Sequence, residues 1–100
     1  MIRHVVMWTF LEQAQGRSRA ENLKIMQEKL EALPPRVPGI RRFEVGVDQL
    51  AGPAAAHLVL VSDLDDWAAL DAYRVHPAHQ EVVQFLDGVR DGRWTVDYEY

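Results

Sequence analysis

Neither face of the segment His4–Phe10 is polar. Read as a strand, it places His4, Val6, Trp8 and Phe10 on one side and Val5, Met7 and Thr9 on the other. His57–Val61 repeats the pattern, with Leu58 and Leu60 opposite His57, Val59 and Val61. Strands that are apolar on both sides belong to a sheet covered on both sides. A chain of 100 residues must therefore find two covering layers, and this requirement limits its folds more than any other feature.

The rest of the chain supplies only one such layer. Residues 11–18 are polar, contain Gly16 and read as a loop. Ser18 and Glu21 have capping-box spacing, in which serine and glutamate side chains each satisfy a free helix N–H. Behind them Leu23, Met26, Leu30 and Leu33 recur at helical spacing. Pro34-Pro35 must end that helix, because proline lacks the N–H and constrains the residue before it. After a turn at Val37-Pro38-Gly39-Ile40, the residues Phe43, Val45 and Val47 alternate with Glu44, Gly46 and Asp48 as in a half-buried strand. Ala51-Gly52-Pro53 breaks the chain before the His57 strand. Asp63 or Asp65 is positioned to cap a short helix carrying Trp67, Leu70 and Tyr73. His76-Pro77 interrupts it, and Val82, Val83, Leu86 and Val89 continue a second helix. Trp94, Val96 and Tyr98 alternate with Thr95, Asp97 and Glu99 in a last strand. The order β-α-β-β-α-β predicts a ferredoxin-like α+β sandwich, a four-stranded antiparallel sheet with helices on one face, as a single domain over residues 1–100.

The uncovered face of that sheet points to a second copy. So large an apolar patch exceeds what monomers usually expose, and the same face of another chain covers it with two-fold symmetry. Burying even ~400 Å² of apolar surface per chain contributes on the order of 10 kcal/mol before association costs, at about 25 cal/mol/Å². A curled sheet that covers itself is the alternative. With no cysteine in the chain, neither a disulfide nor a thiolate is available to staple the domain or to react. Eleven Lys and Arg against 15 Asp and Glu give a net charge of −4, and no basic face suits a nucleic acid. No stretch suits a membrane span and Met1-Ile2-Arg3-His4 does not open a signal peptide, so a cytoplasmic location is expected.

Chemistry concentrates in Tyr73-Arg74-Val75-His76-Pro77-Ala78-His79. Proline suits the first helical position, which makes His76 the N-cap and places His79 in the first turn. The helix dipole disfavours a cation there, so His79 should be neutral near pH 7 and able to act as a general base. Equally, His-Pro serves as a plain cap with His79 at the surface. The topology brings His4, Asp97 and the Tyr73–His79 stretch to one edge of the sheet. Asp97 then either fixes the tautomer of His4 or forms a salt link to Arg3 or Arg93. His76 and His79 stand three residues apart without a third ligand, so no metal is expected.

These pieces resemble the stress-responsive A/B barrel (Dabb) family, a branch of the dimeric α/β-barrel superfamily. The resemblance rests on Ile2-Arg3-His4-Val5-Val6, Pro38-Gly39-Ile40 with Glu44-Val45-Gly46, His57-Leu58-Val59-Leu60-Val61, Tyr73-x-x-His76-Pro77-Ala78-His79 and Val96-Asp97-Tyr98. It implies a homodimer whose sheets pack face to face. Many members have no assigned activity. The distant plant polyketide cyclases of the olivetolic acid cyclase type use neither metal nor organic cofactor. By that resemblance Tyr73 and His79 would be catalytic, with His79 removing a proton beside a carbonyl and Tyr73 hydrogen-bonding the developing oxyanion. His4, His57 and Asp97 match polar pocket positions, and Trp8 replaces a small aliphatic residue, which disfavours a long alkyl tail. The resulting expectation is a cofactor-free, small-molecule pocket lined by His4, Val6, Trp8, His57, Val59, His76 and Asp97. It would bind a small carbonyl or aromatic compound. One alternative is a cyclase-like enzyme using Tyr73 and His79; the other is a structural dimer module with Trp8 filling the space.

Overall fold

The computed structural model describes residues 1–100. Strand β1 (Ile2–Phe10) leads into a two-residue hairpin, β2 (Gln13–Ala14) and β3 (Arg17–Ser18), and then helix α1 (Arg19–Glu31). Strands β4 (Ile40–Val47) and β5 (Leu58–Leu64) follow, then helices α2 (Trp67–Val75) and α3 (Pro77–Asp87), and strand β6 (Arg90–Glu99). The main sheet runs β4-β5-β1-β6 with every neighbouring pair antiparallel. This is the ferredoxin-like βαββαβ arrangement, with the second helical segment broken in two.

Local chemistry explains the boundaries. The Ser18 hydroxyl accepts from the Glu21 N–H while the Glu21 carboxylate accepts from the Ser18 N–H, completing the capping box. After α1, Pro34–Arg36 forms a single 3-10 turn. Gly39 adopts φ +90° beneath Ala69, where a Cβ would stand 3.0 Å from the alanine methyl. Only glycine meets both demands at the entrance to β4.

Two expectations change here. The loop at 11–18 contains the β2–β3 hairpin, whose Ala14 carbonyl accepts from the buried Asn22 amide of α1. The cap of α2 is Asp66, whose carboxylate accepts from the Ala69 N–H. Asp63 lies within β5, paired with Arg3 at 2.9 Å, and Asp65 is bound by Arg41. The strand runs past Val61 as far as Leu64 and Asp65 is taken by Arg41, so the cap falls on Asp66, the second carboxylate beyond the strand.

All three helices lie on one side of the sheet. Ile2, Val6 and Phe10 of β1 and Leu58, Leu60 and Leu64 of β5 are buried against Met26, Leu30, Leu33, Leu70, Val82 and Leu86. The other side has no covering element. Met7, Trp94, Val96 and Tyr98 lie there, with Val96 55% exposed and Trp94 54% exposed. No helix is long and apolar enough to cross a membrane.

Candidate functional site

A cavity of about 270 Å³ opens between the helix-covered side of β1 and helices α2 and α3. Its walls are Val6, Trp8 and Leu60 from the sheet, Met26 and Leu30 from α1, and Val82, Val83 and Leu86 from α3. His4, Tyr73 and His79 supply uncharged polar groups, while Asp87, Arg90 and Arg93 supply charged ones. Its size lies near the lower end for ligand pockets, about 300–1,000 Å³. Trp8 forms one wall and is 3% exposed, yet the space beside it remains open.

His4, Tyr73 and His79 form a row of rings. Tyr73 meets His79 at 4.4 Å between centroids and His4 edge-on at 6.0 Å. Antiparallel pairing sets His4 beside Asp97 on β6, and His4 Nδ1 bonds the Asp97 carboxylate. Arg74 bonds the other oxygen of that carboxylate at 3.2 Å. The alternation that turns Trp94, Val96 and Tyr98 outward thus turns Asp97 inward, and its cationic partner is Arg74 rather than Arg3 or Arg93. His76 caps α3, its Nδ1 accepting from the Ala78 N–H at 3.1 Å, and Pro77 takes the first helical position. His79 Nδ1 lies 3.0 Å from the Arg74 carbonyl. A carbonyl only accepts, so Nδ1 carries the proton and a neutral His79 keeps its lone pair on Nε2.

Burial governs protonation throughout. It lowers the pKa of His79, and the positive charges of Arg93 and Arg74 add to the effect. His4 is also lowered, since burial outweighs the hydrogen bond to Asp97. Tyr73 is pushed up by burial and remains a hydroxyl. The row therefore holds two neutral imidazoles around a phenol that donates. The Tyr73 hydroxyl has no hydrogen-bond partner within the protein, yet it is not sealed from solvent-sized space.

These shifts set a pH dependence for stability. A histidine whose folded pKa falls below its ordinary 6.5 stays neutral while the unfolded chain binds a proton. Stability contributed in this way is present above pH 6.5 and is lost as pH falls toward the folded value. His57 shifts in the same direction, chiefly through burial. Urea midpoints should fall between pH 7 and pH 5, above the range where carboxylates titrate, and His4→Gln should flatten the fall.

Four of the expected lining residues do not line the cavity, and Asp97 among them meets it only as the hydrogen-bond partner of His4. Val59 pairs with Met7 on the outer side of the sheet, so Leu60 forms the cavity wall instead. His57 precedes β5 at the far end of the sheet, where its Nδ1 accepts from the Phe10 N–H at 2.9 Å. His76 is engaged in capping and does not line the cavity. Strand periodicity divided residues 57–61 correctly between two faces but did not say which face was covered. Arg93 and the α3 residues Val82, Val83 and Leu86 were not anticipated in the site. Arg93 carried a readable signal, since it shares strand parity with Asp97. No three His, Asp or Glu side chains gather in a way that suits a metal ion.

The profile of the Stress Responsive A/B Barrel Domain family matches residues 2–100. This chain belongs to the Dabb family. No curated protein sequence matches it. Among solved structures, the Dabb chain is similar to a dimeric ferredoxin-like protein of unknown function from Bacteroides fragilis. That likeness has 28% identity and a TM-score of 0.81, over 99% of this chain and 95% of the other. A dimeric ferredoxin-like protein from Thermobifida fusca gives 20% identity and a TM-score of 0.85, over 99% and 90%. Hydroxynitrile lyase from Passiflora edulis gives 17% identity and a TM-score of 0.78, over 97% and 90%. The last two share the fold of this Dabb chain.

Proposed function

We propose that this Dabb chain is a homodimer that binds a small carbonyl or aromatic compound in the cavity of each copy. The observation that carries the ligand reading is an open apolar cavity against which Tyr73 and His79 pack ring to ring. A domain stabilised only by packing gains nothing from such a gap, since an empty space costs the contacts its lining would make. The ligand's flat apolar part lies between Leu60, Leu86 and Trp8, and its carbonyl oxygen accepts from the Tyr73 hydroxyl. The outer apolar face supports the dimer, as does the description of the Bacteroides fragilis and Thermobifida fusca proteins as dimeric.

A second reading is favoured by the lone pair on His79 Nε2. With a ketone bound, His79 takes a proton from the carbon beside the carbonyl. The C–H electron pair moves into a new C=C bond, and the carbonyl π pair moves to oxygen, where Tyr73 donates a hydrogen bond to the enolate. The proton returns to carbon or follows the substrate's own rearrangement. A protein of the same fold, from Passiflora edulis, is named a hydroxynitrile lyase.

A library of small aryl ketones and aromatic aldehydes, screened by thermal unfolding, tests the binding reading. A ligand present at about 100 times its Kd should stabilise the fold by ~2.7 kcal/mol. Stabilisation lost in His79→Ala or Tyr73→Phe supports the assignment. No stabilisation by any member would refute it.

A further inference from the structure

We propose that the ligand carries a carboxylate and that Arg93 is the group that holds it; this rests on the cavity being a small-molecule site. Arg93 lies on the cavity-facing parity of β6, directly across from Trp8 in the β1–β6 register. It makes no ion pair and no side-chain hydrogen bond, although acids outnumber bases in the chain. Every other arginine is engaged: Arg90 at the cavity faces Asp87 at 3.7 Å, and Arg17 and Arg19 bond the Asn22 side chain and the Phe10 carbonyl. The charge nevertheless acts on the site, because it is among the causes that lower His4 and His79 and it opposes the rise that burial imposes on Tyr73.

A second unmatched donor stands beside it. Trp8 Nε1 is the single buried side-chain polar atom in the protein without a hydrogen-bond partner. Buried indole N–H groups usually find an acceptor. At the Trp8 end of the cavity Arg93 and the Trp8 indole N–H are thus both without an acceptor, and the one carboxylate of the lining, Asp87, faces Arg90. The opposite end holds the Tyr73 hydroxyl and His79. Such polarity suits a ligand with a carboxylate at one end and a ketone at the other. The planar guanidinium fork matches a carboxylate in two parallel hydrogen bonds, which also fixes the ligand's direction. His4 and Trp8 are four residues apart along β1, about 13 Å at roughly 3.3 Å per residue. The reach of Arg93 shortens this span, so the fitting compounds are aryl keto acids with a short chain between the two groups.

Three acids test the assignment, namely benzoylformate, 3-benzoylpropionate and 4-benzoylbutyrate, each titrated calorimetrically beside its methyl ester. The wild-type protein should bind at least one acid about tenfold or more tightly than its ester, and the preference should shrink as salt is raised. Arg93→Gln should remove the preference for acid over ester, and Arg93→Lys should keep part of it. Arg93 is exposed, so both variants should fold. Equal binding of acid and ester, or an equal loss of both in Arg93→Gln, overturns the anchor and leaves the cavity reading standing. Failure of every acid and ester to bind overturns both.

Discussion

Val96→Asp will convert the protein from a dimer into a monomer of 11.5 kDa. Val96 lies on the outer side of the β6 edge strand, between Trp94 and Tyr98 and across from Val5. In a two-fold pairing of these faces the substitution buries one carboxylate from each copy in a largely apolar layer. An unpaired buried charge costs several kcal/mol, enough to shift association by several orders of magnitude. The monomer itself should stay folded, because the Val96 side chain lies outside the helix-covered core. Sedimentation at micromolar concentration reads the result. A wild-type protein that sediments at 11.5 kDa, or a variant that keeps twice that mass, would contradict the proposed dimer.

His79→Ala will slow deuterium exchange at the α-carbon of a bound aryl ketone by about 10²-fold or more, the usual contribution of a placed general base. Tyr73→Phe will slow it by about 10²-fold through loss of the oxyanion donor. The pH profile carries the sign of the shifts. Exchange requires neutral His79, whose pKa lies below 6.5, so the fall in rate on the acid side should centre below pH 6.5. Tyr73 is held protonated by burial, so no loss should appear on the alkaline side up to its ordinary pKa of 10. Exchange observed by proton NMR at equal ligand occupancy separates this effect from weakened binding. Unchanged exchange in both variants would remove the proton-transfer reading and leave the binding reading intact.

The element order and the helix cap at His76-Pro77 were legible because they depend on local signals. Alternation, capping residues and prolines act within a few residues of one another, and each has a distinct spacing. Asp97 was legible as well, since strand parity alone set it opposite Trp94, Val96 and Tyr98. The cavity wall was harder to read. His57–Val61 is apolar on both faces, so its sequence is nearly symmetric and gives no sign that Leu60 rather than Val59 faces the helices. The pairing of Val6 with Leu60 decides it, and that pairing depends on the register between strands more than 50 residues apart. His57 and His76 carry the same side chain as His4 and His79. Their Nδ1 atoms accept backbone N–H groups at a strand end and a helix start, roles that composition cannot separate from ligand contact. The open space itself depends on how far α3 stands from β1, which no single segment encodes.

Val83 offers a way to close that space without disturbing the core. It lines the cavity but remains half-buried, so a larger side chain there can grow into the opening without displacing the packed residues beneath. A titration of the best-binding aryl ketone against wild-type protein and Val83→Trp, with thermal unfolding and sedimentation run on both, compares an open cavity with a plugged one. The ligand should bind the wild type and lose at least about tenfold in affinity in Val83→Trp, while unfolding temperature and dimer mass stay the same. Equal affinity in a folded Val83→Trp dimer would show that the compound binds elsewhere, and the cavity beneath Tyr73 and His79 would lose its assigned role.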